Sequence, residues 1–188
     1  MGMTITEKAI EFAVKAHAGA KRKGKDRPYI MHPLEAMLIV SNITNDEEVI
    51  AAAVLHDTIE DAKISKEELA MYFGPRVADL VAAESENKRE GQSEKATWKI
   101  RKQETIDHMK TASRNAKMIC LGDKLSNMRE IAVDYRKKGV AMWKPFNQND
   151  PKMHAWYYRT ILGILAGEFG EIPEIVEYRT LADEVFGE

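Results

Sequence analysis

An apolar helical stripe that runs directly into four metal-binding or proton-moving side chains constrains this chain more than any other feature. Val49, Ala52 and Ala53 recur at helical spacing, and His56 and Glu60 continue the same stripe three and seven residues beyond Ala53. Asp57 and Asp61, four apart, form a second row beside it. A carboxylate buried without a partner is strongly destabilising, so such groups normally carry a cation or dense hydrogen bonding. A metal ion would answer several of these side chains at once.

Elsewhere the pattern is helical nearly throughout. Ile5, Ala9, Phe12, Ala13 and Ala16 form one face of a first helix, and Pro33 suits the first turn of a second that carries Ala36, Met37 and Val40. Thr44 with Glu47 reads as a capping box for the helix bearing His56, and Ser65 with Glu68 as another. Gly74-Pro75 separates two further helices. Residues 84–94 are charged and read as an exposed loop. Long helices are expected over 95–112 and 116–135, an irregular stretch over 139–150, and proline-opened helices from Pro151 and Pro173. No repeat, low-complexity tract or convincing strand interrupts this, so the expectation is one all-α domain spanning residues 1–188.

The bulk numbers exclude several functions. With 188 residues the chain can bury a full core, and a net charge of −2 argues against a nucleic-acid polymer as partner. The one cysteine, Cys120, lies in the apolar run from Met118 to Leu121, which fits a buried thiol in a reducing compartment. No segment approaches the length of a membrane span and no secretory apolar region opens the chain, so a cytoplasmic location without membrane attachment is expected. Oligomeric state is left open.

Four side chains are candidate metal ligands: His32, His56, Asp57 and Asp123. Each alone has a plain explanation, since a histidine before a proline often sits in a cap or loop and a lone aspartate often pairs with arginine. Their order along the chain is more specific. His17, Arg22-Lys23, Pro28-Tyr29-Ile30-Met31-His32-Pro33-Leu34, Leu55-His56-Asp57-Thr58-Ile59-Glu60-Asp61 and Gly122-Asp123-Lys124-Leu125-Ser126-Asn127-Met128-Arg129 occur in succession. This set resembles the HD metal-dependent phosphohydrolases. Within them it is most similar to the hydrolase domain of the Rel/Spo alarmone enzymes, in particular the stand-alone small alarmone hydrolases. The resemblance covers roughly residues 5–135.

The resemblance implies an HD-type bundle of roughly eight to ten helices with the metal between them. His32, His56, Asp57 and Asp123 would hold one divalent ion, manganese in this family. The mixed imidazole and carboxylate set by itself permits manganese, iron or zinc and suits magnesium poorly. Glu60 and Asp61 match the acidic pair that positions and deprotonates the attacking water. Arg22 and Lys23 match basic residues bordering the nucleotide site, within a loop carrying five cations in seven residues (Lys21, Arg22, Lys23, Lys25, Arg27) that otherwise reads as solvated. One residue is inserted between Gly24 and Pro28, and Gly24 stands where the family commonly has serine, which bears on base contacts more than on phosphate contacts. Asn127 would bond the ribose, or is a helix-surface amide. Tyr157 or Tyr158 would contact the substrate, or packs in the core. Arg101 and Lys102 resemble a basic pair of the family, or are solvated.

The implied reaction is hydrolysis of the 3′-pyrophosphate of guanosine tetra- or pentaphosphate, (p)ppGpp, to GDP or GTP and pyrophosphate. Two alternatives stay open: an HD phosphohydrolase acting on another nucleotide, such as NADPH or a nucleoside monophosphate, and a non-catalytic nucleotide sensor.

Overall fold

The computed structural model describes residues 2–89 and 91–187. They form ten α-helices and a short 3-10 helix, with an isolated Lys21–Pro28 bridge in place of any strand among the described residues. The all-α expectation therefore holds. None of these helices is long and apolar enough to cross a membrane.

The chain divides into two compact units, the first comprising Met1–Ser85 and Ser113–Asp123. It contains α1 (Ile5–Ala16), α2 (Met31–Ile43), α3 (Glu47–Leu55), α4 (Thr58–Ala62), α5 (Lys66–Phe73), α6 (Pro75–Glu84) and the start of α8 (Arg114–Lys138). Helix α3 is the hub, packed against α1, α2 and α6. Its sequence explains why. Val49 and every residue from Ala51 to Leu55 is buried, so α3 is apolar around its whole circumference rather than along one stripe. The small side chains of Ala51, Ala52 and Ala53 let its neighbours approach closely.

Two local expectations change. The N-cap of α3 is Asp46, whose carboxylate accepts from the Glu48 and Val49 amides, and not Thr44. Thr44 Oγ1 instead accepts from the Asp46 amide, so both oxygen-bearing side chains find work one step apart. Arg76 pairs with both Asp46 and Glu48 and holds this corner in place. The second change matters more. The helix expected to run unbroken through Glu60 stops at Leu55, and α4 starts at Thr58. Thr58 Oγ1 donates to the Leu55 carbonyl at the break, and Lys63 closes α4 in the left-handed region with φ 57°.

The second unit comprises Glu86–Ala112 and Lys124–Glu188, with α7 (Glu94–Thr111), the rest of α8, the 3-10 helix (Gly139–Trp143), α9 (Pro151–Phe169) and α10 (Pro173–Phe186). Pro151 and Pro173 open their helices as expected, and Asp150 caps α9 through the Lys152 amide. A cluster of rings fills the interior, with His154 stacked on Trp143 at 4.3 Å and Trp98 edge-on to His154 at 5.3 Å. The loop expected to be exposed over 84–94 includes Glu90, which lies outside the described residues. Its residue Glu86 is not exposed. That carboxylate turns inward to pair with Arg101 at 2.7 Å and with Lys102, and accepts from Thr105 Oγ1 at 3.1 Å. Arg101 is accordingly buried rather than solvated.

Candidate metal centre

His32, His56, Asp57 and Asp123 come together inside the first unit. His32 Nε2 lies 3.1 Å from Asp123 Oδ1 and 3.6 Å from Asp57 Oδ2, and His56 Nε2 lies 3.0 Å from Asp57 Oδ2 and 3.8 Å from Asp123 Oδ1. The two imidazoles meet edge to face at 5.1 Å. Both histidines and Asp123 are buried, at 5%, 3% and 7% exposure. Donor atoms that share one ion at ~2.1 Å lie roughly 3–3.5 Å apart, and the four distances here, 3.0 to 3.8 Å, lie in or just above that range.

Each side chain is placed by a specific backbone event. His32 enters on the first turn of α2, where its amide bonds the Tyr29 carbonyl at 3.0 Å. His56 and Asp57 occupy the break between α3 and α4, and this break lets two adjacent residues face one point. The closing turn of α3 leaves the Ala53 carbonyl available, and His56 Nδ1 donates to it at 2.8 Å. A carbonyl only accepts, so a proton sits on Nδ1, and Nε2 faces the carboxylates, able to carry a second proton or, once that proton is lost, to offer a lone pair to an ion. Nε2 is buried and has no hydrogen-bond partner among the described residues, although Asp57 Oδ2 is near. An imidazole held in this way beside two carboxylates fits a divalent cation, and His32, His56 and Asp57 supply three ligand atoms within 4.8 Å of one another.

Asp123 reaches the group because of Gly122. A Cβ at that position would stand 2.7 Å from the Ala36 carbonyl oxygen and 2.8 Å from Val40 Cγ2. Only glycine lets α8 approach α2 this closely. Sequence reasoning recorded Gly122 as part of a motif without a role. A glycine inside an apolar helical run, about 1 kcal/mol worse than alanine for the helix itself, was the signal available.

In the metal-free state the charges respond to one another. Burial lowers the affinity of His56 for a proton, but Asp57 and Asp123 outweigh it and hold the ring up at about 10. Burial raises the Asp57 carboxyl, and the two histidines more than reverse this, leaving it well below the usual carboxylate range. His17, buried at the end of α1, is shifted down by its burial. Tyr29 is the other residue that sequence reasoning left without a role. Its hydroxyl donates to Asp57 Oδ2 at 2.7 Å, and burial together with Asp57 and Asp61 keeps the phenol protonated.

The remaining predicted residues are distributed as follows. Glu60 is half-buried and Asp61 exposed, both on α4, where the Asp61 amide bonds the Asp57 carbonyl at 2.8 Å. Arg22 lies over the Tyr29 ring at 5.4 Å, and Lys23 is exposed in the same loop. Asn127, Tyr157 and Tyr158 belong to the second unit. Tyr157 is buried with Lys102 and Lys124 over its ring at 4.9 and 5.7 Å. Tyr158 stacks with Phe186, and its carbonyl accepts from the Tyr178 hydroxyl.

Known proteins share this arrangement of sequence and fold. The HD domain family model matches residues 9–149. The guanosine-3′,5′-bis(diphosphate) 3′-pyrophosphohydrolase of Danio rerio is 36% identical over 126 residues, which is 65% of this chain and 66% of that protein, just under two thirds of its length. The enzyme of the same description from Aquifex aeolicus is 34% identical over 142 residues, 72% of this chain and 19% of that much longer protein. In fold, the chain is similar to a solved metazoan ortholog of SpoT described as hydrolysing ppGpp, with a TM-score of 0.76 over 96% of this chain and 95% of that one at 24% identity.

Proposed function

From the premise that this chain belongs to the HD domain family, and so calls for a divalent metal, we propose that it hydrolyses (p)ppGpp at the 3′-pyrophosphate. The observation that carries the reading is the buried meeting of His32, His56, Asp57 and Asp123 in a chain whose relatives are named for that reaction. We take all four as ligands, and manganese as the ion, since imidazole and carboxylate together suit it. When bound, the ion supplies Lewis acidity and makes its water easier to deprotonate.

The chain's own groups do the rest. Glu60 and Asp61, on the short helix directly after the ligands, orient the attacking water and take its proton. A bond forms from the water oxygen to the phosphorus carried on the 3′ oxygen, the bond from that phosphorus to the 3′ oxygen breaks, and a proton goes to the 3′ oxygen. GDP or GTP and pyrophosphate leave. Arg22 and Lys23 offset phosphate charge as it shifts toward the leaving group. For Asn127, and for Tyr157 or Tyr158, we keep the ribose and substrate contacts that the family resemblance implies. The family match takes residues from both compact units, which supports treating the chain as one domain; a cytoplasmic location is our reading of the sequence.

The deciding experiment is hydrolysis of ppGpp with added manganese, with nucleotide and phosphate products resolved. Intact pyrophosphate alongside GDP is expected. Orthophosphate alone, or turnover only of another phosphoester such as NADPH, overturns the substrate assignment.

A further inference from the structure

Tyr29 touches more of the site than any other side chain without an assigned role. Its hydroxyl donates to Asp57 Oδ2 at 2.7 Å, and the Asp61 carboxylate lies close enough to help keep the phenol protonated. Its ring lies under the Arg22 guanidinium at 5.4 Å, tilted against His17 at 5.1 Å and edge-on to His32 at 6.1 Å. The ring is fixed from both ends. Its own amide bonds the Ala20 carbonyl at 2.9 Å, closing the basic loop, while its carbonyl accepts the His32 amide at 3.0 Å.

A phenol has one proton and two ionised carboxylates can only accept it. Asp57 accepts that proton in a hydrogen bond that fixes its carboxylate beside Asp61. The ring face offers Arg22 a cation–π seat, with the flat guanidinium held over the phenol. One side chain thus links three groups to which different jobs were assigned above.

We propose that Tyr29 is a positioning residue: its hydroxyl braces Asp57 against Asp61, and its ring seats Arg22 for the substrate phosphates. This rests on the reading of the site as a metal-dependent (p)ppGpp hydrolase. The two halves separate by substitution. Tyr29→Phe keeps the ring and removes the hydroxyl, while Tyr29→Leu removes both.

The test compares wild type with both variants by manganese titration calorimetry, kcat and KM on ppGpp, and metal-free thermal melting. For Tyr29→Phe the manganese Kd rises roughly tenfold and kcat falls roughly tenfold, as for other groups that orient metal ligands. KM stays within about twofold, because the ring still seats Arg22. Tyr29→Leu repeats both losses and raises KM several-fold further. Wild-type manganese affinity and kcat in Tyr29→Phe overturn the bracing role, and equal KM in the two variants overturns the seating role. If Tyr29→Leu does not melt cooperatively, Arg22→Lys takes its place for the second half, since lysine keeps the charge but loses the flat guanidinium that stacks on the ring: a several-fold rise in KM supports the seat and an unchanged KM overturns it. A wild-type protein that binds manganese without releasing pyrophosphate from ppGpp defeats the substrate assignment alone. The manganese Kd ratio of Tyr29→Phe to wild type then still decides the bracing role, and the second half is read from pyrophosphate affinity.

Discussion

The two compact units bury charge in opposite ways. In the second, Glu86 is turned inward and met by Arg101, Lys102 and Thr105 of the same unit. Burial raises that carboxyl, but Lys102, Lys124 and Arg101 outweigh it and keep its proton affinity below normal. In the first unit, Asp57 and Asp123 face the imidazoles of His32 and His56. One unit settles its buried carboxylate internally. The other sets Asp57 and Asp123 against two imidazoles, whose charge depends on a proton and whose nitrogens can also hold a metal ion. A buried acid paired with guanidinium is architecture, whereas buried acids paired with imidazole are a binding site.

The largest expected effect falls on the unsettled side. His56→Ala should lower ppGpp turnover by at least roughly a thousandfold and abolish stoichiometric manganese binding in calorimetry. Retained one-to-one binding would break the contrast. On the settled side, Glu86→Ala leaves Arg101 buried without its carboxylate and should destabilise the fold by about 3 kcal/mol in urea unfolding. Its manganese stoichiometry should not change. A Glu86→Leu, Arg101→Met double variant should regain most of that loss, because the pair is worth little against apolar packing.

Gly122→Ala tests the close approach that delivers Asp123. It should cost about 1–3 kcal/mol by urea unfolding and weaken manganese binding together with stability, since the Ala36 backbone must shift. Stability lost with metal affinity intact would detach Gly122 from the site.

One histidine from each unit, His56 and His154, answers pH with opposite sign. In metal-free protein the raised His56 contributes stability that is fully present below about pH 6.5 and is lost as pH rises through about 10. Burial shifts His154 down, so its contribution is present above about pH 6.5 and is lost as acid protonates the unfolded chain first. Unfolding midpoints of His56→Asn and His154→Asn, each subtracted from wild type across pH, should slope in opposite directions. The smallest effect belongs to Lys63. Its left-handed backbone favours glycine, and Lys63→Gly should stabilise by about 0.5–1 kcal/mol in the same urea assay, with turnover retained.

How much of this was legible in the chain depended on whether the cause was local. Helix starts set by Pro151 and Pro173 were readable because proline acts through its own ring. The cap at Asp46 was misplaced because Thr44 and Asp46 both satisfy the rule at neighbouring positions. The break at His56 was invisible to periodicity, since both residues at the break keep right-handed helical dihedrals. His32 and Asp123 stood out only as members of an ordered set of motifs. Tyr29 and Gly122 act through partners 28 residues away and on another helix, so nothing in their immediate neighbourhood announced them. Glu86 was read as solvated because its cations lie on the following helix.

The hydrogen bond from His56 to the Ala53 carbonyl has an inheritance worth noting. Its acceptor is main chain, so no substitution at position 53 deletes it while the helix end keeps its shape. The choice of imidazole tautomer is therefore insulated from side-chain drift and vulnerable to a different kind of change. An insertion or deletion between Ala53 and Thr58 would reassign that oxygen and turn Nε2 away, leaving all four candidate ligands in the sequence but no longer facing one point.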